Sequence, residues 1–200
     1  MSLAANTPCT AFAGHRLIAS GSLADVALKA KAAADAGAVD TILVFEDETG
    51  QQAPLDFRGT EADVLTRLAE AAPPPSPPPS EGPRVGRPKL GVTAREVTLL
   101  PRHWDWLAEQ PGGASAALRR LVEEARRTHA GKDAARKAQE ATYRVMSALA
   151  GDLPEYEEAL RAFYAGDADA FETRIAGWPT GVRDYVARLS AIARDLEAQA

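Results

Sequence analysis

The spacing of apolar and polar positions changes character several times along the chain. Thr10 to Gly14 and Leu17 to Ser22 read as two short strands around a turn at Gly14-His15. From Leu23 to Gly37 the apolar residues Val26, Leu28, Ala30, Ala33 and Ala34 recur at helical spacing, and Gly37 is placed to cap that helix. Thr41 to Phe45 (TILVF) is a β-branched and aromatic run, Asp47-Glu48-Thr49-Gly50 is a turn cluster, and Pro54 to Arg58 is the expected return strand. Thr60-Glu61-Ala62-Asp63 has the form of a capping box ahead of Val64, Leu65 and Leu68. The predicted order is β-β-α-β-β-α, a small α+β domain over residues 1–72.

Residues 73–80 read PPPSPPPS, a stretch that favours extended polyproline II over helix or central strand. It marks a linker that continues to about residue 92. Beyond it, Ala94 to Leu100 (AREVTLL) reads as a short strand, and Pro101 suits the first turn of a helix carrying Trp104, Leu107 and Ala108. Pro111-Gly112-Gly113 ends that helix. Ser115, or the residue before it, is the expected cap of a second helix, with Ala117, Leu118, Leu121, Val122 and Ala125 as its apolar stripe. Its other face carries Arg119, Arg120, Arg126 and Arg127. From residue 131 the pattern is helical throughout. Helices are expected over Ala134–Ala150, Leu153–Tyr164, Asp167–Ala176 and Val182–Leu196, with Gly177-Trp178-Pro179 breaking the series, and together they read as a small bundle. The predicted segments are thus 1–72, the linker and arm 73–92, a strand-helix-helix unit 93–130, and a helical bundle 131–200.

Charge sharpens this division. The whole chain carries a formal net charge of −5, but residues 1–72 hold 5 basic and 10 acidic residues, 80–132 hold 10 and 6, and 133–200 hold 8 and 12. Because salt screens charge beyond roughly 8–10 Å, a basic middle between acidic ends acts locally. Between Arg84 and Arg102 five cations (Arg84, Arg87, Lys89, Arg95, Arg102) face one acid, Glu96.

One strand and two short helices cannot bury a stable core alone, and an isolated strand exposes a row of unpaired backbone groups. Both difficulties disappear if two copies pair strands and interlock helices, so a homodimer through residues 95–127 is expected. At this point the segment resembles the ribbon-helix-helix fold of MetJ- and Arc-type repressors: a strand, Leu-Pro, a helix, a glycine-containing turn, and a helix reading SAALRRLV. The resemblance implies that a two-stranded ribbon of Arg95, Glu96, Val97, Thr98 and Leu99 enters the major groove, while Ser115 meets backbone phosphate. Two registers remain open. If Leu100 faces the core, Arg95, Val97 and Leu99 face DNA; if Val97 and Leu99 are core, Glu96, Thr98 and Leu100 do. The preceding Gly86-Arg87-Pro88-Lys89 is similar to the core of AT-hook peptides, which place arginine in narrow A·T minor grooves. The candidate DNA-binding residues are therefore Arg84, Arg87, Lys89, Arg95, Val97, Thr98, Arg102 and Ser115. The chain also resembles a bacterial family known as domain of unknown function 2239, on the blocks VGRPKLGVTAREVTLLPRHWDWLAEQPGGASAALRRLVEEAR, DLPEYEEALRAFYAGDADAFE and IAGWPTGVRDYVARL. That resemblance implies no particular activity.

Other chemistry finds little footing. The single cysteine, Cys9, permits no internal disulfide, and His15, His103 and His129 lack metal-ligand spacing. No GxGxxG, GxxxxGK[ST] or GxSxG motif occurs. Glu46, Asp56 and Arg58 read as solvated turn and strand-end charges. No catalytic site, cofactor or metal is expected. With neither a transmembrane run nor a secretory signal pattern, the expected location is the cytoplasm. The expected function is that of a dimeric DNA-binding protein, in the manner of a transcriptional regulator; the alternative is a non-enzymatic dimeric adaptor for protein partners.

Overall fold

The computed structural model describes residues 3–71 and 92–200, so the proline-rich linker and the arm bearing Arg84, Arg87 and Lys89 lie outside the described residues. The chain divides into two compact units, Met1–Pro73 with Ala130–Ala200, and Pro74–His129. It is mixed α and β, mostly helical, with a three-stranded antiparallel sheet.

In the first unit, β1 (Pro8–Ala13) and β2 (Arg16–Ser22) form a hairpin around Gly14-His15, and β3 (Ile42–Glu46) pairs with the other edge of β1, giving the order β2-β1-β3. Between them α1 (Leu23–Asp35) starts at Ser22, whose hydroxyl accepts from the Asp25 amide. The capping box of α2 (Glu61–Ala71) forms as its sequence requires: Asp63 accepts from the Thr60 amide, and the Asp63 amide donates to Thr60 Oγ1.

The return strand expected over Pro54–Arg58 does not form. Phe45 and Gln52 make an isolated bridge, and the Ala53 amide donates to the Val44 carbonyl. The next residue is Pro54, which has no amide to continue a ladder. Leu55 and Phe57 instead pack against the core beneath α1. The β-β-α-β-β-α layout thus reduces to three strands and two helices.

From Cys9 to Ala13 every residue of β1 is buried, because both sheet faces are covered. Cys9, Ala11 and Val44 point into a cluster with Leu23, Val26 and Ala30 of α1. Phe12 and Phe45 point the other way, into a larger core. That core is supplied by the latter part of α4 (Gly113–Ala150) and by α5 (Tyr156–Tyr164), α6 (Ala168–Ile175) and α7 (Thr180–Ala198), through Val145, Met146, Phe163, Phe171, Val182 and Val186 among others. The stretches 1–72 and 131–200, separated by the sequence reading, therefore share one core.

The second unit contains α3 (Pro101–Ala108), opened by Pro101 as expected, and the first part of α4. Two helices expected at about 115–128 and 134–150 are one continuous α4 of 38 residues. Gly131 lies inside it. A Cβ there would come within 3.0 Å of Ala200 Cα, so the glycine permits a close approach by the end of the chain rather than a break in the helix. Ala94–Leu100, expected as a strand, is neither helical nor paired with any described residue.

The turn Asp47–Gly50 links sheet and helices. The Thr49 carbonyl accepts from Arg144 of α4 at 2.7 Å. Gly50, buried at φ +64, sits where a Cβ would lie 2.3 Å from the Ala141 carbonyl oxygen. Gly50→Ala is expected to cost at least roughly 1–3 kcal/mol, the penalty of that backbone region for a non-glycine residue, before any clash with α4. A urea titration checks this: a lowered midpoint is expected, and an unchanged midpoint would contradict the close packing of turn on helix.

Candidate nucleic-acid interface

The second unit buries little of its own apolar surface. Among its described residues Leu107 and Ala117 are buried, at 2% and 0% exposure. Val97, Leu100, Trp104 and Val122 remain 52%, 49%, 40% and 56% exposed, and Trp106 and Leu121 are exposed as well. Trp104 and Trp106, two residues apart on α3, cannot share one face of a helix, yet neither is covered. From Leu121 to Ala130 every residue of α4 is exposed. Residues 92–98 and Leu100 are exposed; Leu99 alone in that run is half-buried.

Cations surround this surface. Arg95 and Arg102 are exposed ahead of and at the start of α3, and Val97 and Thr98 lie exposed between them. Arg119, Arg120, Arg126 and Arg127 are exposed on α4, where Arg126 pairs with Glu123 at 3.0 Å. Such exposed helix pairs contribute only tenths of a kcal/mol and leave the guanidinium available to another anion. Ser115 departs from its expected role. The helix begins two residues earlier, at Gly113, so Ser115 lies within the first turn and its hydroxyl accepts from Arg119 at 2.8 Å. The structure therefore brings Ser115 and Arg119 together, and keeps Arg95, Val97, Thr98 and Arg102 on one short exposed run.

The first unit holds a different polar cluster. Asp47 is largely enclosed, its side chain 15% exposed, and accepts from Thr10 at 2.8 Å, Tyr185 at 2.9 Å and Arg188 at 3.1 Å. Ser20 lies 3.0 Å from Thr10, and the Arg188 guanidinium sits 5.1 Å from the Tyr185 ring centroid. Burial, and then the negative charge of Asp47, pushes the Tyr185 phenol well above its ordinary range, so it stays a donor. Beside it, burial and then the Asp47 and Glu46 carboxylates push the Cys9 thiol up to about 12. The hydrogen bonds from Thr10, Tyr185 and Arg188 to Asp47 make this cluster a fastening between sheet and α7. Nothing in the sequence links Asp47 to Tyr185, 138 residues away, beyond the place of Tyr185 in the apolar stripe of α7.

The remaining charged candidates are local staples. Arg58 holds Asp56 through Nε and a terminal nitrogen, at 2.9 and 2.6 Å, and this pairing keeps the Asp56 carboxyl well below the usual range. Arg67 donates to the Asp56 carbonyl, and Glu46 accepts from Thr49. His15 lies 3.5 Å from Asp152, and His129 contacts the Ala125 carbonyl in its own helix. Among the described residues no three His, Cys, Asp or Glu side chains group to hold a metal ion, and no helix is long and apolar enough to cross a membrane.

Residues 8–190 match a family described as an uncharacterized protein conserved in bacteria, DUF2239. The chain belongs to this family. The match runs from the first residue of β1 into α7, so it spans residues of both units. No curated protein and no solved structure matches the chain.

Cys9 gives a direct check on the enclosed sheet. In the native protein the thiol is expected to resist a disulfide-exchange reagent at neutral pH and to react once per chain in denaturant. Because its folded pKa is raised, it contributes stability below the ordinary thiol range that is lost as pH climbs towards about 12. Rapid reaction of the native thiol at neutral pH would contradict its burial.

Proposed function

We propose that this protein is a dimeric DNA-binding protein, in which residues 95–127 of two copies combine and present a basic two-stranded ribbon to duplex DNA. The observation that carries this reading is the unpartnered run from Val92 to Leu100. It is exposed except at Leu99, it pairs with no described residue, and Leu100 is still extended (φ −68°, ψ 149°) where it enters α3. A second copy offers that run a mate, and offers cover to Val97, Leu100, Trp104, Leu121 and Val122. An obligate association surface is richer in apolar and aromatic residues than ordinary surface, as this one is.

Pairing doubles the charge. Arg84, Arg87, Lys89, Arg95 and Arg102 occur twice in a dimer, against two copies of Glu96. Such a concentration gains affinity by releasing counterions from DNA. The arm reads as a minor-groove contact and the ribbon as a major-groove contact, while Ser115 and Arg119 at the start of α4 are suited to backbone phosphate. A transcriptional regulator is the role that fits such a dimer.

Fluorescence anisotropy with an A·T-rich duplex tests this reading. A log–log salt slope of about −4 to −9 is expected for five to ten neutralised phosphates. Replacing Arg87 or Arg95 by alanine is expected to flatten the slope by about 2, since each change occurs twice in the dimer. No binding at low salt would overturn the proposal.

A further inference from the structure

We infer that the outer edge of β3 is a docking site for an extended, basic peptide, which adds a fourth strand to the sheet. The site lies wholly in the first unit and stands apart from the DNA-binding reading. β3 ends the sheet order β2-β1-β3, so one of its edges has no strand of the sheet beside it. On that edge the Val44 carbonyl accepts from the Ala53 amide at 2.8 Å, and the Glu46 amide donates to the Gln51 carbonyl at 2.9 Å. Backbone groups alternate in direction along an antiparallel strand. Ile42 therefore also turns its N–H and C=O outward, while Leu43 and Phe45 turn theirs to β1. Pro54 stops the return run after Ala53. Among the described residues, the Val44 N–H and both Ile42 groups meet no backbone partner. Such a row of free edge groups is a template for another chain.

Beside this edge lies a cleft of about 410 Å³, lined by Ile42, Val44, Pro54, Leu55 and Phe57 among others. An added strand lies about 4.8 Å from β3 and sends alternate side chains to opposite faces. Those on the α1 side meet Leu55 and Phe57, which already pack against the core there. The peptide thus needs an apolar residue at every second position. Charge selects the others. Residues 38–57 hold five acids (Asp40, Glu46, Asp47, Glu48 and Asp56) and no lysine or arginine. Asp47 pairs with Arg188 and Asp56 with Arg58, whereas Asp40, Glu46 and Glu48 form no ion pair among the described residues. Asp40 precedes β3 and the two glutamates stand at its far end, so lysine or arginine at the polar positions of the peptide complements both. Main-chain bonds then supply affinity, and the alternate apolar side chains supply selectivity.

Panning a phage-displayed library of random short peptides on the full-length protein tests this, with the selected peptide synthesised and titrated by fluorescence anisotropy. Sequences that alternate apolar with basic residues are expected to be enriched. Methylating the peptide's amides one at a time should weaken binding at every second position, the signature of a strand bonded along one edge. Ile42→Pro removes an outward N–H and leaves the ladder to β1 in place, so it is expected to weaken the peptide about 10-fold. Circular dichroism of that variant should match wild type; should it misfold, the amide methylation decides alone. Replacing Asp40 by asparagine and Glu48 by glutamine together is expected to weaken the peptide about 3-fold. A library that yields no binder would overturn the inference, as would a selected peptide indifferent to methylation of its amides. If Ile42→Pro instead lowers the number of chains per particle, a second copy fills the edge and the peptide site falls.

Discussion

The turn from Asp47 to Gly50 is the joint on which the larger unit depends. Its first residue receives hydrogen bonds from Tyr185 and Arg188 of α7, and its last lies against the backbone of α4 at Ala141. A three-stranded sheet has two faces to cover and short strands with which to do it. Here α1 covers one face through Val26 and Ala30, and the helices from α4 onward cover the other around Phe12 and Phe45. The ring of Phe12 lies 5.4 Å from that of Tyr185, so the apolar contact and the Asp47 hydrogen bond reach the same tyrosine from two sides. Breaking the carboxylate link would leave a largely enclosed charge with fewer donors, which costs more than a surface ion pair of the same geometry.

The second unit stands under a different constraint. Its described residues bury Leu107 and Ala117 and leave several large side chains in water. A segment of that size gains too little from burial to offset the entropy of ordering it. On the reading we propose, a second copy covers the exposed tryptophan, leucine and valine. The two units thus differ in kind, one closed upon its own core and the other open.

Much of the closed unit was legible in the sequence, because local signals and tertiary demands agreed there. The Gly14-His15 turn, the Thr60 capping box and the helical stripes of α5 to α7 all followed from spacing and turn chemistry. The fourth strand failed because Pro54 interrupts the ladder after one bridge, a stop that β-like composition over Pro54–Arg58 concealed. The separation of a helix at about 115–128 from one at 134–150 failed because α4 runs through that stretch without a break. The shared core was not legible for a related reason: the burial of every residue from Cys9 to Ala13 shows only once both faces are seen to be covered. Of the candidate interface, the exposed cations on Arg95, Arg102 and α4 were legible. The engagement of Ser115 by Arg119 was not, since it depends on α4 starting at Gly113. The Asp47 fastening depends on residues too far apart in sequence for any local pattern to connect.

The central claim is that the run ahead of α3 is completed by a second copy of the chain. Sedimentation equilibrium of the intact protein at micromolar concentration tests it most directly. The account predicts a particle of twice the 21.2 kDa chain mass, reduced to a single chain when Val97 and Val122 are both replaced by aspartate. A well-behaved single chain of wild-type protein at that concentration would contradict it.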